Sequence, residues 1–239
     1  QMRDRAKDHL PALCQRLSIA VPDTRTISDA GFFDRCADEG WDYPLVVKGI
    51  YYDAAVVAGS EQAKAAFLRI AREWGYPVLV QRFVEGHEIN LTALGDGSGA
   101  MIAPVMMRKR AVTDKGKAWA GIAIQDDALE SMAAALIAEL RWPGGLEVEA
   151  LRGEDGRLYL IEINPRLPAW IYLTHGVGRN LPVTQLRLMA GERNIALPPP
   201  RPGTMFIRHA KELIVGLDAF EAILTGGALA LKADSGCAA

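Results

Sequence analysis

The stretch Ile161-Glu162-Ile163-Asn164-Pro165-Arg166 alternates apolar and polar side chains and then meets a proline. Alternation at period two marks a strand, so Glu162 and Asn164 are predicted to share one face of it. Upstream, Asp155-Gly156 is a hairpin turn signal, and Gly145-Leu-Glu-Val-Glu-Ala-Leu151 beyond it reads as the partner strand. Closing that hairpin brings Glu149 beside Glu162 and Asn164. Two carboxylates and an amide oxygen on one face suit a hard cation such as Mg²⁺, which takes oxygen ligands and commonly keeps substrate phosphates in its shell. The same residues also suit an ordinary solvated sheet face, and taken alone they do not choose between the two.

The chain has 239 residues, enough for one large domain or two modest ones. Hydrophobic residues make up 50% and charged residues 23%, the balance of an ordinary globular protein. A net charge of −2 points to neither nucleic acid nor an anionic membrane. Cys14, Cys36 and Cys237 are too far apart for a metal-ligand spacing or a disulfide framework, which fits a reducing compartment. His9, His87, His175 and His209 do not cluster, against a zinc site. No apolar run approaches the roughly 18 residues of a membrane span, and Met132–Leu140 is short and carries Glu139. No signal-peptide pattern opens the chain, and the expected location is the cytoplasm. The chain begins with Gln1, which reads as a fragment, a processed product or a trimmed chain.

Along the chain, residues 2–17 are predicted helical, with Leu10, Leu13, Cys14 and Leu17 at helical spacing and Pro11 restarting or kinking the helix. Residues 19–24 read as extended. A second helix runs from Ser28-Asp29 to about Glu39 and is stopped by Gly40. Trp41-Asp-Tyr-Pro-Leu-Val-Val-Lys48 and Trp74-Gly-Tyr-Pro-Val-Leu-Val-Gln81 form a partial repeat, each a strand that ends on a long polar residue. Between them Ser60–Trp74 is an amphipathic helix. Residues 88–107 read as strand, turn and strand, closed by Arg108-Lys109-Arg110, with a polar loop at 113–117. Asp126-Asp127 caps a helix to Leu140, and another runs from Asn180 to Ala190. Pro198–Gly203 is a linker, followed by a short strand in 204–213 and a helix in 218–226. Residues 232–239 lack periodicity and are expected to fray.

Three further features invite chemistry. Lys48 ends an apolar strand, where an ammonium needs an anion such as phosphate to offset desolvation, unless it simply emerges into solvent. Arg108, Lys109 and Arg110 form the densest basic cluster, or a solvated loop. Gln81-Arg-Phe-Val-Glu-Gly-His-Glu88 lies where two strand units meet. Its backbone could pair with a purine edge, with Glu88 accepting from ribose hydroxyls, or it could be a plain crossover.

In that order along the chain, these segments resemble the ATP-grasp superfamily, of the carbamoyl-phosphate synthetase and biotin carboxylase type. The resemblance covers most of residues 1–195. It rests on Tyr43–Lys48, Gln81–Glu88, Leu140–Glu149 and, most specifically, Ile161–Arg166, with Gly176–Pro182 and Leu186–Glu192 resembling the family's closing helix. It implies an α+β fold, with a small α+β lid over a larger core built on an antiparallel sheet with flanking helices. The corresponding divisions are a leading segment (1–25), the lid (26–82), the core (83–197), and a Pro-rich linker with a C-terminal extension (198–239). It also implies that ATP is clamped between lid and core. Lys48 would reach the α- and β-phosphates, with Lys7 as a further nucleotide contact. Gln81, Arg82 and Val84 would meet adenine through backbone atoms, and Glu88 would hold ribose. Glu149, Glu162 and Asn164 would bind two Mg²⁺ ions, with Mn²⁺ as a substitute. Arg166 would stabilise the phosphorylated intermediate, its planar fork suiting phosphate and carboxylate. Arg110 or Arg108 would meet the γ-phosphate or the substrate carboxylate.

The implied activity is a Mg²⁺- and ATP-dependent ligase that activates a carboxylate as an acylphosphate for an amine or similar nucleophile. The alternatives are a bicarbonate-activating carboxylase-type subunit and a nucleotide-binding module without turnover. The chain departs from the family in three ways. Gly49–Gly59 carries Tyr51-Tyr52 where a glycine-rich loop is usual, Gln81 stands where many relatives have Glu, and the customary N-terminal α/β domain is absent, so a partner subunit or separate domain is expected to supply its surface. Trp170, Tyr172 and His175 read as substrate-pocket residues or as core and helix packing.

Overall fold

The computed structural model describes residues 6–113, 116–193, 195–210, 212, 214 and 216–227. Parts of the expected first helix (residues 2–5), the polar loop (114–115) and the short strand after the linker (211 and 213), together with the C-terminal tail and Cys237, lie outside them. The described residues divide into two units that meet at the 207/208 junction.

The first unit holds two sheets. The smaller has the order β1 (Thr24–Ile27), β4 (Val78–Arg82), β2 (Leu45–Gly49) and β3 (Ala54–Val57), all neighbours antiparallel. Helix α2 (Phe32–Arg35), continued by a 3₁₀ turn at Cys36–Glu39, and helix α3 (Ser60–Trp74) bury one face of it. Gly40, at φ 73°, ends the turn in the left-handed conformation that glycine adopts without strain. Phe33, Phe67, Ile70, Leu45, Val47 and Val80 make the dry centre of this lobe.

The larger sheet runs β10 (Met205–Ile207), β7 (Ala118–Ile124), β6 (Met101–Val112), β5 (Gly86–Asp96), β8 (Pro143–Gly153) and β9 (Leu158–Asn164), again antiparallel throughout. On one face it packs against α1 (Leu10–Leu17) and α4 (Asp127–Leu140) through Leu13, Leu91, Leu136, Val148 and Leu160. Asp126 caps α4 by accepting from the Leu129 backbone N–H at 3.0 Å. A separate apolar group, including Val105, Met107, Trp170 and Leu173, packs under α5 (Tyr172–Gly176) and α6 (Leu181–Met189). The architecture is the expected α+β lid and antiparallel core.

Two local expectations are corrected. Helix α1 begins at Leu10, with Pro11 in its first turn, where a missing N–H costs nothing; Pro11 therefore starts the helix and does not kink it. Residues 54–57, read as part of the 49–59 loop, form β3; residues 118–124, to which the sequence assigns no element, form β7. The second unit is described through α7 (Leu217–Gly226), which ends at Gly227 with φ 66°.

Candidate active site

The β8–β9 hairpin sets the register of the acidic side chains. Glu149 lies opposite Glu162, and Glu147 lies opposite Asn164. One extra residue, Ile161, bulges β9 between the pairs Glu149–Glu162 and Ala150–Leu160, a device that re-aims the strand end. Asn164 Nδ2 donates to Glu149 Oε1 at 2.8 Å and to Glu147 Oε2 at 3.3 Å. The three residues expected from sequence are thus brought together, and Glu147 joins them. Its carboxylate is buried and also accepts from Trp170 Nε1 at 2.7 Å, Asn90 Nδ2 at 3.2 Å and Arg166 Nη1 at 3.4 Å.

The strand-end cation is corrected. Lys109, not Arg108 or Arg110, faces the carboxylates: it pairs with Glu88 and lies 3.7 Å from Glu149. Arg108 and Arg110 are exposed and form no ion pair among the described residues. Strand alternation explains the difference, since neighbours on β6 cannot share a face. Burial raises the Glu149 carboxyl to about 8, helped by the nearby Glu147 charge and opposed by Lys109. Burial also raises Glu147, while its bond from Trp170 and the Arg166 charge pull it down. Close carboxylates in a dry site cannot all ionise cheaply without a cation.

Across a cleft stands the lid. Lys48, only 7% exposed, donates to the neutral amide oxygen of Gln81 at 2.6 Å. Gln81 is itself fixed, donating through Nε2 to Thr24 Oγ1 at 2.7 Å. Desolvation lowers the Lys48 ammonium to about 8, with Lys7 pushing the same way and Glu162, Glu88 and Glu149 opposing. Lys7 bridges the two lobes, donating to the Tyr51 carbonyl at 2.9 Å and to Glu162 Oε1 at 3.1 Å. Lys7, Thr24, Lys48, Gln81 and Leu160 line the cleft between the sheets.

The remaining candidates separate. Arg82 turns its guanidinium onto Trp41, 4.9 Å from the ring centroid, and onto Asp23, and its backbone N–H donates to the Asp23 carbonyl at 2.9 Å. Val84 lies half-buried in the 83–85 connector, and Glu88 is engaged by Lys109. Arg166 is 56% exposed at the cleft end of β9 and is held by Glu147. Trp170 is buried in the core, whereas Tyr172 is exposed and stacks on His175 at 5.6 Å. The expected phosphate loop is a tight hairpin: Gly49 N–H bonds the Asp53 carbonyl at 3.2 Å, Asp53 (φ 68°) pairs with Arg69, and Tyr52 packs on Trp74.

The donor set suits Mg²⁺ in kind, since it consists of carboxylate and amide oxygens. One buried side-chain atom among the described residues, Asn90 Oδ1, has no partner, and it sits on this face. Among the described residues, however, no three acidic, histidine or cysteine groups converge on one point, because Lys7 and Lys109 hold the carboxylates. A cation would take the place of those ammonium contacts.

Residues 76–212, more than half of the chain, match the family described as ATP-grasp in the biosynthetic pathway with Ter operon. The chain belongs to that family. The ATP-grasp fold also appears in its structural likenesses. The biotin carboxylase domain of Hydrogenobacter thermophilus 2-oxoglutarate carboxylase, crystallised with MgADP, ADP and bicarbonate, matches with TM-score 0.70 at 19% identity, over 84% of this chain and 49% of that one. An L-amino acid ligase from Bacillus licheniformis gives 0.63 at 18% identity, over 78% and 47%. An N5-carboxyaminoimidazole ribonucleotide synthetase from Thermotoga maritima gives 0.64 at 15% identity, over 83% and 51%. The ATP-grasp chain described here therefore spans about half the length of these structures.

Proposed function

We propose that this chain carries the nucleotide site of a Mg²⁺- and ATP-dependent ligase, which activates a carboxylate as an acylphosphate for attack by an amine or similar nucleophile. The observation that carries this reading is Lys48. It is a desolvated ammonium whose hydrogen-bonded partner is a neutral amide, set across the cleft from partly buried carboxylates. Such a cation calls for an anion, and a phosphate chain with its metal would satisfy both sides of the cleft at once.

The residue roles follow. Lys48 and Lys7 would hold phosphates, Lys7 leaving Glu162 for them. The backbone of Gln81, Arg82 and Val84 would meet adenine, and Glu88 would accept from ribose once released by Lys109. Glu149, Glu162 and Asn164 would hold Mg²⁺, one or two ions, with Mn²⁺ able to replace it. Bound there, the metal supplies charge neutralisation at the transferring phosphoryl group. Arg166, exposed and tethered by Glu147, would stabilise the charge that develops when a carboxylate oxygen attacks the γ-phosphorus. Lys109 would take the part that the resemblance assigns to Arg110 or Arg108. The divisions 1–25, 26–82, 83–197 and 198–239 correspond to leading segment, lid, core and extension in this reading. The rest of the substrate site would come from a further domain or partner subunit. Cys14 and Cys36, buried and outside any disulfide, fit a cytoplasmic setting.

The test is ADP release against a panel of carboxylates, bicarbonate included, with amines and thiols. Glu162→Gln is expected to abolish turnover while leaving the thermal melt intact; full activity in that variant would show that the metal site lies elsewhere. A second reading, a nucleotide-binding module without turnover, is favoured by the tight Tyr51-Tyr52 hairpin. ATP binding without ADP release from any pair would support it.

A further inference from the structure

Asn90 and Glu147 carry an inference that rests on the proposed cation site and extends it. Asn90 sits on β5 opposite Glu149 and is 1% exposed. Its Nδ2 donates to Glu147 Oε1 at 3.2 Å, and its Oδ1 is buried with no partner among the described residues. Leaving a buried amide oxygen unpaired is costly, so its persistence needs a reason. Glu147 supplies the geometry. An ionised carboxylate only accepts hydrogen bonds, so an asparagine beside it must present nitrogen to it and turn its oxygen away. Glu147 does this to two amides at once, Asn90 and Asn164, the second at 3.3 Å. Trp170 Nε1 at 2.7 Å and Arg166 at 3.4 Å hold the carboxylate from other sides. On a strand Glu147 and Glu149 share a face, yet only Glu147 is closed off, at 3% exposure, behind the other donors.

We propose that Glu147 is a positioning residue that fixes the amide orientation of Asn90 and, together with Glu149, of Asn164, and that Asn90 is thereby an additional oxygen donor of the cation site. Glu147 itself need not touch the metal. Replacing it with glutamine keeps size and shape but offers an N–H₂ group, which would let Asn90 flip and withdraw its oxygen, whereas Asn164 keeps its 2.8 Å bond to Glu149.

The experiment measures Mn²⁺ binding by electron paramagnetic resonance, in the absence and presence of ATP, and ATP binding without metal by calorimetry. The proteins are wild type, Glu147→Gln, Asn90→Ala and Asn90→Asp, each checked by thermal melt. The expected result is that Glu147→Gln and Asn90→Ala weaken Mn²⁺ binding about tenfold or more, while metal-free ATP affinity stays within about twofold. Asn90→Asp, which restores an oxygen, is expected to recover most of it. Unchanged Mn²⁺ affinity in both Glu147→Gln and Asn90→Ala would overturn the proposal. So would an equal loss of metal-free ATP binding, the mark of a merely structural role. If Glu147→Gln fails to fold, Asn90→Ala decides alone, because it leaves Glu147 and its other donors in place. If wild type binds no Mn²⁺ under any condition, the cation-site reading falls and takes this inference with it, an outcome distinct from a selective variant effect.

Discussion

At the scale of single residues, the decisive group is Lys48. Its ammonium is held near 8 against the usual 10.5 because it is buried. Below about 8 the native lysine is charged; between 8 and 10.5 the unfolded chain keeps a proton that the native state has lost. The desolvation cost is therefore fully present below 8, and the native state gains relative stability as pH rises through that window. Phosphate affinity runs the opposite way, since it needs the charged form. ATP affinity measured calorimetrically is expected to be flat up to about pH 8 and to fall about tenfold per pH unit above it. Lys48→Met should weaken ATP binding at least about tenfold and abolish that slope. It should cost little stability, because it removes a desolvated charge while losing one hydrogen bond. The site was partly legible at this scale. Strand parity and one turn signal predict that Glu149, Glu162 and Asn164 share a face, and the hairpin register places them so. Glu147 carried the same parity signal, two residues before Glu149, but a buried acid cannot be told from a solvated one in sequence. Lys109 was hidden between two arginines, and only the β6 register decides which of the three faces inward.

At the scale of elements, helix α3 matches its expected bounds, Ser60–Trp74, because its apolar stripe, first residue and following glycine all agree. Strands β3 and β7 were not legible. Ala54-Ala-Val-Val57 is short and follows a polar turn, and β7 contains three alanines and a glycine with no alternating polar residue, so pairing with longer neighbours makes the strand. Close approach constrains Gly95, where a β-carbon would lie 2.0 Å from the Trp142 carbonyl oxygen. Gly95→Ala must shift β5 against the chain leading into β8, and a loss of about 1–3 kcal/mol in urea unfolding is expected. Leu136→Ala removes a fully buried side chain of α4 beneath the site sheet and should cost about 2–5 kcal/mol by the same measurement. In neither variant should residual folded protein lose nucleotide affinity out of proportion to its stability.

At the scale of the molecule, two sheets with separate cores meet at a cleft that carries ammonium groups facing carboxylates, the arrangement on which the proposed metal–triphosphate site rests. Lys48 stands on the lid sheet, Lys7 lies just ahead of α1 between the lobes, and Glu149, Glu162, Asn164 and Asn90 sit on the core sheet. Lys7 now bridges the halves through Tyr51 and Glu162, a placement that nucleotide and metal would have to replace. Any ligand bound only by the folded state raises apparent stability in proportion to its concentration over its dissociation constant. The two-lobed arrangement was legible only through the family resemblance that the Tyr-Pro strands and the hairpin carry, whereas the lid turn was not, because its closure depends on Asp53 and Arg69 meeting in space. The most direct measurement is isothermal titration of the intact chain with ATP, with and without Mg²⁺. Saturable binding that tightens at least about tenfold with Mg²⁺, and is lost in Lys48→Met, is the expected result. No saturable ATP binding in the presence of Mg²⁺, or binding indifferent to both the metal and Lys48, would contradict a nucleotide site at this cleft.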